Sequence, residues 1–555
     1  MAQVTQKPDF EKELEEKLSS IQVDKIEEET KAAAQKTGLP YVNLKSFPID
    51  ASAVLVIDEK DARSGQMIVI SKNGQNLKIA IVDPQNPQIQ PILDNLKSQG
   101  YAYGLVIVSP LSLEAGWLRY REKKERIMAP PGVVEIKEDA LSDIEKQIKD
   151  IADLKERLTS LPITKVLDIL IAGALKIEAS DIHFEPEEKD IRLRYRLDGV
   201  LNDIVNFSPI GYPGLLSRIK LLSGLKINIH DNPQDGRFTI RRGEKDIEVR
   251  VSILPGAYGE NIVMRILDPG TIKQKLEDLG MREDVLIQIK KLLAKTTGAI
   301  ITTGPTGSGK TTTLYAFVRY VNNPDVKIIT IEDPIEYHME GISQTQVDPT
   351  AGYTFAGGLR SIVRQDPDVI LVGEIRDVET AEIAMQAALT GHLVFSTLHT
   401  NSAAGTIPRL IDLRVRPVTI APAINVAMAQ RLVRKLCPKC KKKQKISGEE
   451  LVLLKKYLSD LSEKITGPKF GESTEIYQPD KCKKCNSTGY QGRIGIYELF
   501  EIDGEMEKLI LKSPPISEVQ ELAIKNGMTT LIQDGLLKVL DGVTSIEEVM
   551  RVVGE

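Results

Sequence analysis

The hydrophobic pattern changes texture several times along the chain. Residues 8–36 are charged and rich in Ala, Glu and Lys, with helical spacing. Residues 39–117 alternate short apolar runs (Ala53–Ile57, Met67–Ile70, Leu77–Val82, Leu105–Val108) with turn residues, which predicts a small α/β or α+β module. Residues 120–160 are highly charged and carry Ala129-Pro130-Pro131-Gly132, so a linker is expected there. An apolar helix follows from Ile163 to Leu175. In Ile191–Leu197 apolar residues alternate strictly with Arg192, Arg194 and Arg196, a strand with its arginines on one face, which on spacing alone is a solvated face. Asp198-Gly199 then marks a hairpin turn, and 247–251 and 262–266 read as further strands. From about 275 to 435, strands at 299–303, 327–331, 368–373 and 393–397 alternate with helical stretches. That order predicts a largely parallel sheet covered by helices. Residues 490–555 read as helix.

The first of these parallel strands runs into Gly304-Pro305-Thr306-Gly307-Ser308-Gly309-Lys310-Thr311, followed by Thr312 and a helical segment. The run fits the phosphate-loop pattern G-x-x-x-x-G-K-[ST] between a strand and a helix. Its glycines let backbone N–H groups turn inward, and the helix start adds favourable partial charge. Lys310 would reach the β- and γ-phosphates, and the Thr311 hydroxyl would bind magnesium. The chain is therefore expected to bind a nucleoside triphosphate.

Two carboxylates follow at strand ends, where an open α/β sheet forms its ligand crevice. Glu332, in Ile329–Tyr337, would polarise the attacking water with help from Glu336. Glu374, after Val369–Gly373, would hold the magnesium shell or act as the base. Sequence leaves open which of the two is the base. His392 and His399 flank the strand at 393–397, with Ser396, Thr397 and Thr400 nearby; γ-phosphate sensing suits them better than metal binding, which lacks a third ligand. Phosphoryl transfer also needs positive charge on the γ-phosphate oxygens, with arginine fingers contributing about 10³–10⁵ in rate. Arg360, Arg364, Arg376, Arg250 and Arg265 are candidates that spacing does not rank.

Composition narrows the partners. The 555 residues suit roughly three or four domains. A net charge of −5 gives no global basic surface for nucleic acid. The start lacks an apolar signal core, and no run of about 18 apolar residues appears. The four cysteines form two C-x-x-C pairs, Cys437/Cys440 and Cys482/Cys485, separated by 41 residues. Four thiolates suit a closed, structural zinc site in a reducing compartment; redox chemistry is the rival but needs only one pair.

Taken together, these segments resemble the bacterial secretion ATPases of the type II and type IV pilus kind (the GspE/PilB group). The likeness covers roughly residues 160–555 and includes Ser180–Pro186, Arg196–Val200, Pro233–Arg237 and Arg250–Arg265 upstream of the loop. It implies an α/β multidomain chain: a RecA-like P-loop core, a preceding PAS-like α+β domain, a small N-terminal domain and a zinc insert, assembled as a homohexameric ring. The resulting boundaries are 1–125, a linker 126–160, a second N-terminal domain 161–270, the ATPase core 271–436, the tetracysteine insert 437–488 and a C-terminal helical region 489–555. ATP with Mg2+ would sit between the second N-terminal domain and the core. Arg250, Arg265, Arg360, Arg364, Arg376 and Arg493 match family arginines near nucleotide or subunit interface. Hydrolysis would drive an inner-membrane platform protein that adds pilin subunits to a filament, with the ring at the cytoplasmic face and attached to the membrane through partners. The long N-terminal region and the cysteine insert resemble assembly motors rather than retraction motors, and pilus extension is expected ahead of type II secretion. Gly357 stands where many members carry an arginine, and no paired repeat of the kind some members use for cyclic di-GMP is evident, so that ligand is not expected. A DNA translocase would call for basic charge, against a pI near 5.9. A non-hydrolysing scaffold would call for a damaged box, yet Lys310, Thr311, Glu332, Glu374, His392 and His399 are all present.

Overall fold

The computed structural model describes residues 26–44, 47, 49, 53–127, 133–135, 154, 163–242, 245–267, 274–459, 461 and 470–554. The predicted linker and the first part of the charged helical stretch therefore lie largely outside the described residues. Contacts divide the chain into two units, 1–133 and 134–555.

In the first unit, strands Met67–Asn73 and Asn76–Ile81 pair antiparallel. Gly74, at φ 60°, supplies the left-handed residue that the two-residue turn demands. Helix Ile89–Ser98 buries Ile89, Leu93 and Leu96, spaced on one face, and crosses over to strand Ala102–Ile107, which pairs parallel with Asn76–Ile81. Trp117, on helix Pro110–Ile127, donates its indole N–H to Met67 O at 3.1 Å.

The second unit begins with an antiparallel sheet. Within this unit its strand order runs Gln234–Arg242, Lys245–Gly256, Gly259–Leu267, Asp181–Pro186, Ile191–Leu197, Val200–Phe207. Helices Ile163–Lys176 and Tyr212–Leu222 join one hydrophobic cluster with it, and Tyr195 OH donates to Leu170 O at 2.7 Å. Along Ile191–Leu197 the apolar residues are buried in alternation, as expected. The arginines between them form a paired face: Arg192 with Asp203 at 2.9 Å, Arg194 with Glu185 at 2.5 Å, Arg196 with Asp181 at 3.3 Å.

The largest core is built around a seven-stranded sheet in the order Ser343–Gln346, Ile328–Glu332, Val369–Val372, Leu393–Leu398, Gly298–Thr303, Ile424–Leu436, Tyr490–Glu501. All neighbours are parallel except the last pair. Ala299, Ile301, Ile370, Val372 and Val394 face one cluster with helices Phe355–Val363 and Val378–Leu389. Ile300, Val369, Leu371 and Phe395 face the other, with helices Glu283–Leu293 and Lys310–Val321. Burial on both faces explains the uninterrupted apolar strands.

One expectation needs correction. Residues 489–555 are not helical throughout: Tyr490–Glu501 is a strand paired with Ile424–Leu436, and helices follow only from Gly504. Ile496 and Phe500 face one cluster and Tyr497 and Leu499 the other, so no polar face marks the strand. Among the described residues, no helix is long and apolar enough to cross a membrane.

Candidate active site

The phosphate loop leaves the fully buried strand Gly298–Thr303 and enters helix Lys310–Val321. Gly304, Gly307 and Gly309 all have positive φ, at 148°, 80° and 91°. Space adds a second constraint. A Cβ on Gly304 would stand 2.6 Å from Gln430 O, and one on Gly309 would stand 2.7 Å from Gln430 Nε2. Gln430 is buried beneath the loop, and its Oε1 accepts from Thr313 Oγ1 at 2.8 Å. Lys310 Nζ donates to Gly304 O at 2.8 Å and Pro305 O at 3.1 Å. Burial holds the Lys310 ammonium below its ordinary range; Glu374 opposes that shift and Arg431 adds to it. Ser308 Oγ is buried without a partner, while Pro305, Thr306 and Thr311 are exposed and Thr312 is half-buried. An orphan hydroxyl, an ammonium parked on loop carbonyls and an open threonine at the helix start fit a polyphosphate with its magnesium.

The two acids differ in setting. Glu332 is 3% exposed and ends strand Ile328–Glu332. Its Oε1 accepts from Thr330 Oγ1 at 2.6 Å and Gln344 Nε2 at 3.2 Å, and its Oε2 from the Tyr315 hydroxyl. Burial, with Glu332 adjacent, pushes the Tyr315 phenol far above its ordinary value. Glu374 lies two residues past strand Val369–Val372, with His399 Nε2 at 3.1 Å and Arg376 at 2.5 Å. Glu336 pairs with Arg250 at 3.2 Å, and Arg250 also donates to Ile335 O at 3.1 Å.

Several expected site residues are not brought to the loop. His392 precedes strand Leu393–Leu398, its carbonyl accepting from Gly298 N–H at 3.2 Å, at the opposite end of the sheet from Gly304. A strand of six residues separates it from His399, so flanking one strand puts the two histidines at opposite ends. Arg265 pairs with Asp181 at 2.9 Å on the antiparallel sheet. Arg360 pairs with Glu379, and Arg364 donates to Ser361 Oγ at 3.3 Å. The Arg493 guanidinium stands beside Gly199 in the hairpin turn. Ser396 and Thr397 donate to Val372 O and Gly373 O, both at 2.8 Å, and so brace the neighbouring strand end. Thr400 Oγ1 lies 2.6 Å from Thr303 Oγ1. Gln430, Arg431 and Tyr315 are the neighbours that sequence reading missed. The parallel register Thr303↔Ala429 sets Gln430 and Arg431 beside Gly304, a relation no local motif records.

The cysteines converge as expected. The Sγ–Sγ separations are 3.8 Å for Cys437–Cys482, 3.7 Å for Cys440–Cys485 and 3.6 Å for Cys482–Cys485. A tetrahedron with Zn–S near ~2.3 Å has edges of about 3.8 Å, and all four sulfurs lie within 4.8 Å of one another, so the quartet is compatible with zinc (Zn2+). The Cys485 backbone N–H helps draw the Cys482 thiol down to about 7, toward the thiolate a metal needs.

Comparison with known proteins agrees with this geometry. The family described as "Type II/IV secretion system protein" matches residues 156–551, and the MshEN domain matches residues 37–126. The type IV pilus assembly ATPase PilB of Myxococcus xanthus (strain DK1622) is 36% identical over 539 residues, covering 96% of this chain and 92% of that protein. The type II secretion system protein E of Dickeya dadantii (strain 3937) is 41% identical over 500 residues, 89% of this chain and 96% of that protein. The ATPase DotB of Legionella pneumophila shares the fold, with a TM-score of 0.50 at 22% identity over 70% of this chain and 95% of that one. With this phosphate loop in this sheet, and relatives of both names matched over most of its length, the chain is an ATPase belonging to the type II/IV secretion system protein family.

Proposed function

We propose that the chain is the ATP-hydrolysing subunit of a homohexameric motor that powers assembly of type IV pilin filaments through an inner-membrane platform protein. In this reading Gly304–Thr312 cradle the phosphates, Lys310 neutralises them, and Thr311 and Glu374 hold Mg2+, which when bound offsets charge on the β- and γ-phosphate oxygens. Glu374 faces the loop, with His399 and Arg376 holding its carboxylate. Glu332, already accepting from three side chains, fixes the acidic box. Cys437, Cys440, Cys482 and Cys485 hold Zn2+ structurally. Arg265 and His392, remote from this chain's own loop, would contribute only across a subunit boundary.

The observation that carries a motor is Arg250. It projects from the antiparallel sheet onto Glu336 and Ile335 of the acidic box, so the state of the nucleotide site bears directly on the preceding module. The match to the pilus assembly ATPase over 539 residues favours the pilus. The higher identity, 41%, to the type II secretion protein keeps pseudopilus assembly as the second reading. Either role places the ring at the cytoplasmic face of the inner membrane, held there by partners and binding no specific nucleic acid.

The test is ATP hydrolysis by size-resolved fractions of wild type and Lys310→Ala. Activity confined to the hexamer and abolished in the variant is expected. Equal activity in monomer and hexamer would refute a site completed by assembly, and ATP binding without turnover in either fraction would favour the non-hydrolysing scaffold.

A further inference from the structure

Among the described residues, Arg431 is a strongly basic side chain at the phosphate loop that no motif accounts for. It follows the buried Gln430 on strand Ile424–Leu436 and is carried to the loop by the parallel pairing with Gly298–Thr303. Its Nη1 lies 3.0 Å from where a Cβ on Gly304 would stand. The guanidinium is held by carbonyls alone, Nη1 donating to Gln430 O at 3.1 Å and Nη2 to Asn401 O at 2.9 Å. No carboxylate among the described residues comes within ion-pair distance of it. Glu498 acts on it from farther off, its own oxygens accepting from the backbone N–H groups of Ala403 at 2.8 Å and Leu531 at 3.3 Å. A half-buried guanidinium thus sits close enough to Lys310 for its charge to help pull the Lys310 ammonium down. Burial also pulls Arg431 below its ordinary range. Two cations crowded at one mouth, both resting on backbone carbonyls, favour an anion that joins them.

We propose that Arg431 contacts the nucleotide's phosphates beside Lys310 and, through its bond to Asn401 O, clamps the His399–Asn401 segment to the loaded loop. The proposal rests on the nucleotide site at 304–312. A guanidinium offers a planar fork of donors that suits phosphate oxygens, and with Nη2 on Asn401 the same group bridges ligand and strand end. It would act from within the chain, unlike an arginine supplied by a neighbouring subunit.

The experiment measures affinity for adenosine, ADP and a non-hydrolysable ATP analogue, together with turnover, in wild type, Arg431→Gln, Arg431→Lys and Lys310→Ala full-length protein. Arg431→Gln should weaken ADP and the ATP analogue by about tenfold or more, the usual scale for one charge-assisted contact. It should leave adenosine unchanged, with Arg431→Lys recovering part of the loss. A uniform loss for all three ligands would mean a structural role and overturn the proposal. Wild-type affinity and turnover in Arg431→Gln would also overturn it, and if Lys310→Ala has meanwhile lost the ATP analogue, the nucleotide site itself survives. Undiminished binding in Lys310→Ala would bring down both. Should the glutamine variant fail to fold, Arg431→Lys decides: its narrower donor set should still cost affinity for the phosphorylated ligands and not for adenosine.

Discussion

His399 Nε2 lies 3.1 Å from Glu374 Oε2, so the ends of two adjacent parallel strands meet in one polar contact beside the phosphate loop. Glu332, one strand farther out, has no such opening: Thr330, Gln344 and Tyr315 all donate to it within the protein. Glutamine substitutions should separate the two acids. Glu374→Gln is expected to keep ATP binding and thermal stability while turnover drops on the scale of ~10²–10⁴-fold known for a general acid–base group, since either reading of Glu374, magnesium shell or base, needs its carboxylate. Glu332→Gln sets an amide among existing donors, so it should lower both turnover and the melting temperature, costing about 1–3 kcal/mol. Wild-type turnover in Glu374→Gln would remove that residue from the chemistry, and an unshifted melt in Glu332→Gln would remove the anchoring role.

The cysteine cluster makes a metal prediction. Purified protein should carry one zinc per chain by elemental analysis, and Cys437→Ser should lose it, melting at lower temperature while still binding ATP at the loop. Zinc retained in the variant with an unchanged melt would contradict a structural tetrathiolate.

Acid should act on the C-terminal helices through Glu548. This carboxylate is fully buried by area, and Arg551 and Arg434 both donate to it at 2.6 Å. Burial alone would raise its pKa, but those hydrogen bonds outweigh burial and hold it below the usual carboxylate value. For a lowered carboxylate, the stabilisation is fully present above the unfolded value near ~4.3 and is lost as pH falls through the folded one. Glu548→Gln should therefore melt well below wild type at pH 7, by about 2 kcal/mol in stability, and the gap should shrink below about pH 4. A gap that stays constant on acidification would show that the ion pairs contribute nothing.

The sequence made the nucleotide site readable where the motif and the strand ends are local. The loop, Glu332, Glu374, His399 and the four cysteines could all be placed from spacing. What stayed hidden depends on strand order. Ile424–Leu436 and Tyr490–Glu501 pack on both faces, which removes the two-residue alternation that would have distinguished strand from helix. Gln430 and Arg431 reach the loop through that unseen pairing. The two histidines looked alike as flanks of one strand, but six extended residues span about 20 Å, so only one of them ends at the ligand side. Arg250 could be named but not ranked, since its contact with Glu336 joins residues far apart in the chain.

Leu436 pairs with Tyr490, and Cys437 N–H donates to Gly489 O at 2.9 Å, so the last rungs of the antiparallel ladder lie just ahead of the four thiols. The four cysteines thus stand at the neck of a long hairpin insert whose base already belongs to the ATPase sheet. Between those ends the insert has structure of its own, strands Lys442–Lys445 and Glu475–Gln478 paired antiparallel with helix Gly448–Leu458 between them. The stretch between Cys440 and Cys482 is itself anchored, because Ile446, Leu451, Leu454, Leu458 and Ile476 join the core cluster of the ATPase sheet, and Gln533 Nε2 donates to Tyr457 O at 3.0 Å, so a change in this insert would be felt by the sheet and by the C-terminal helices.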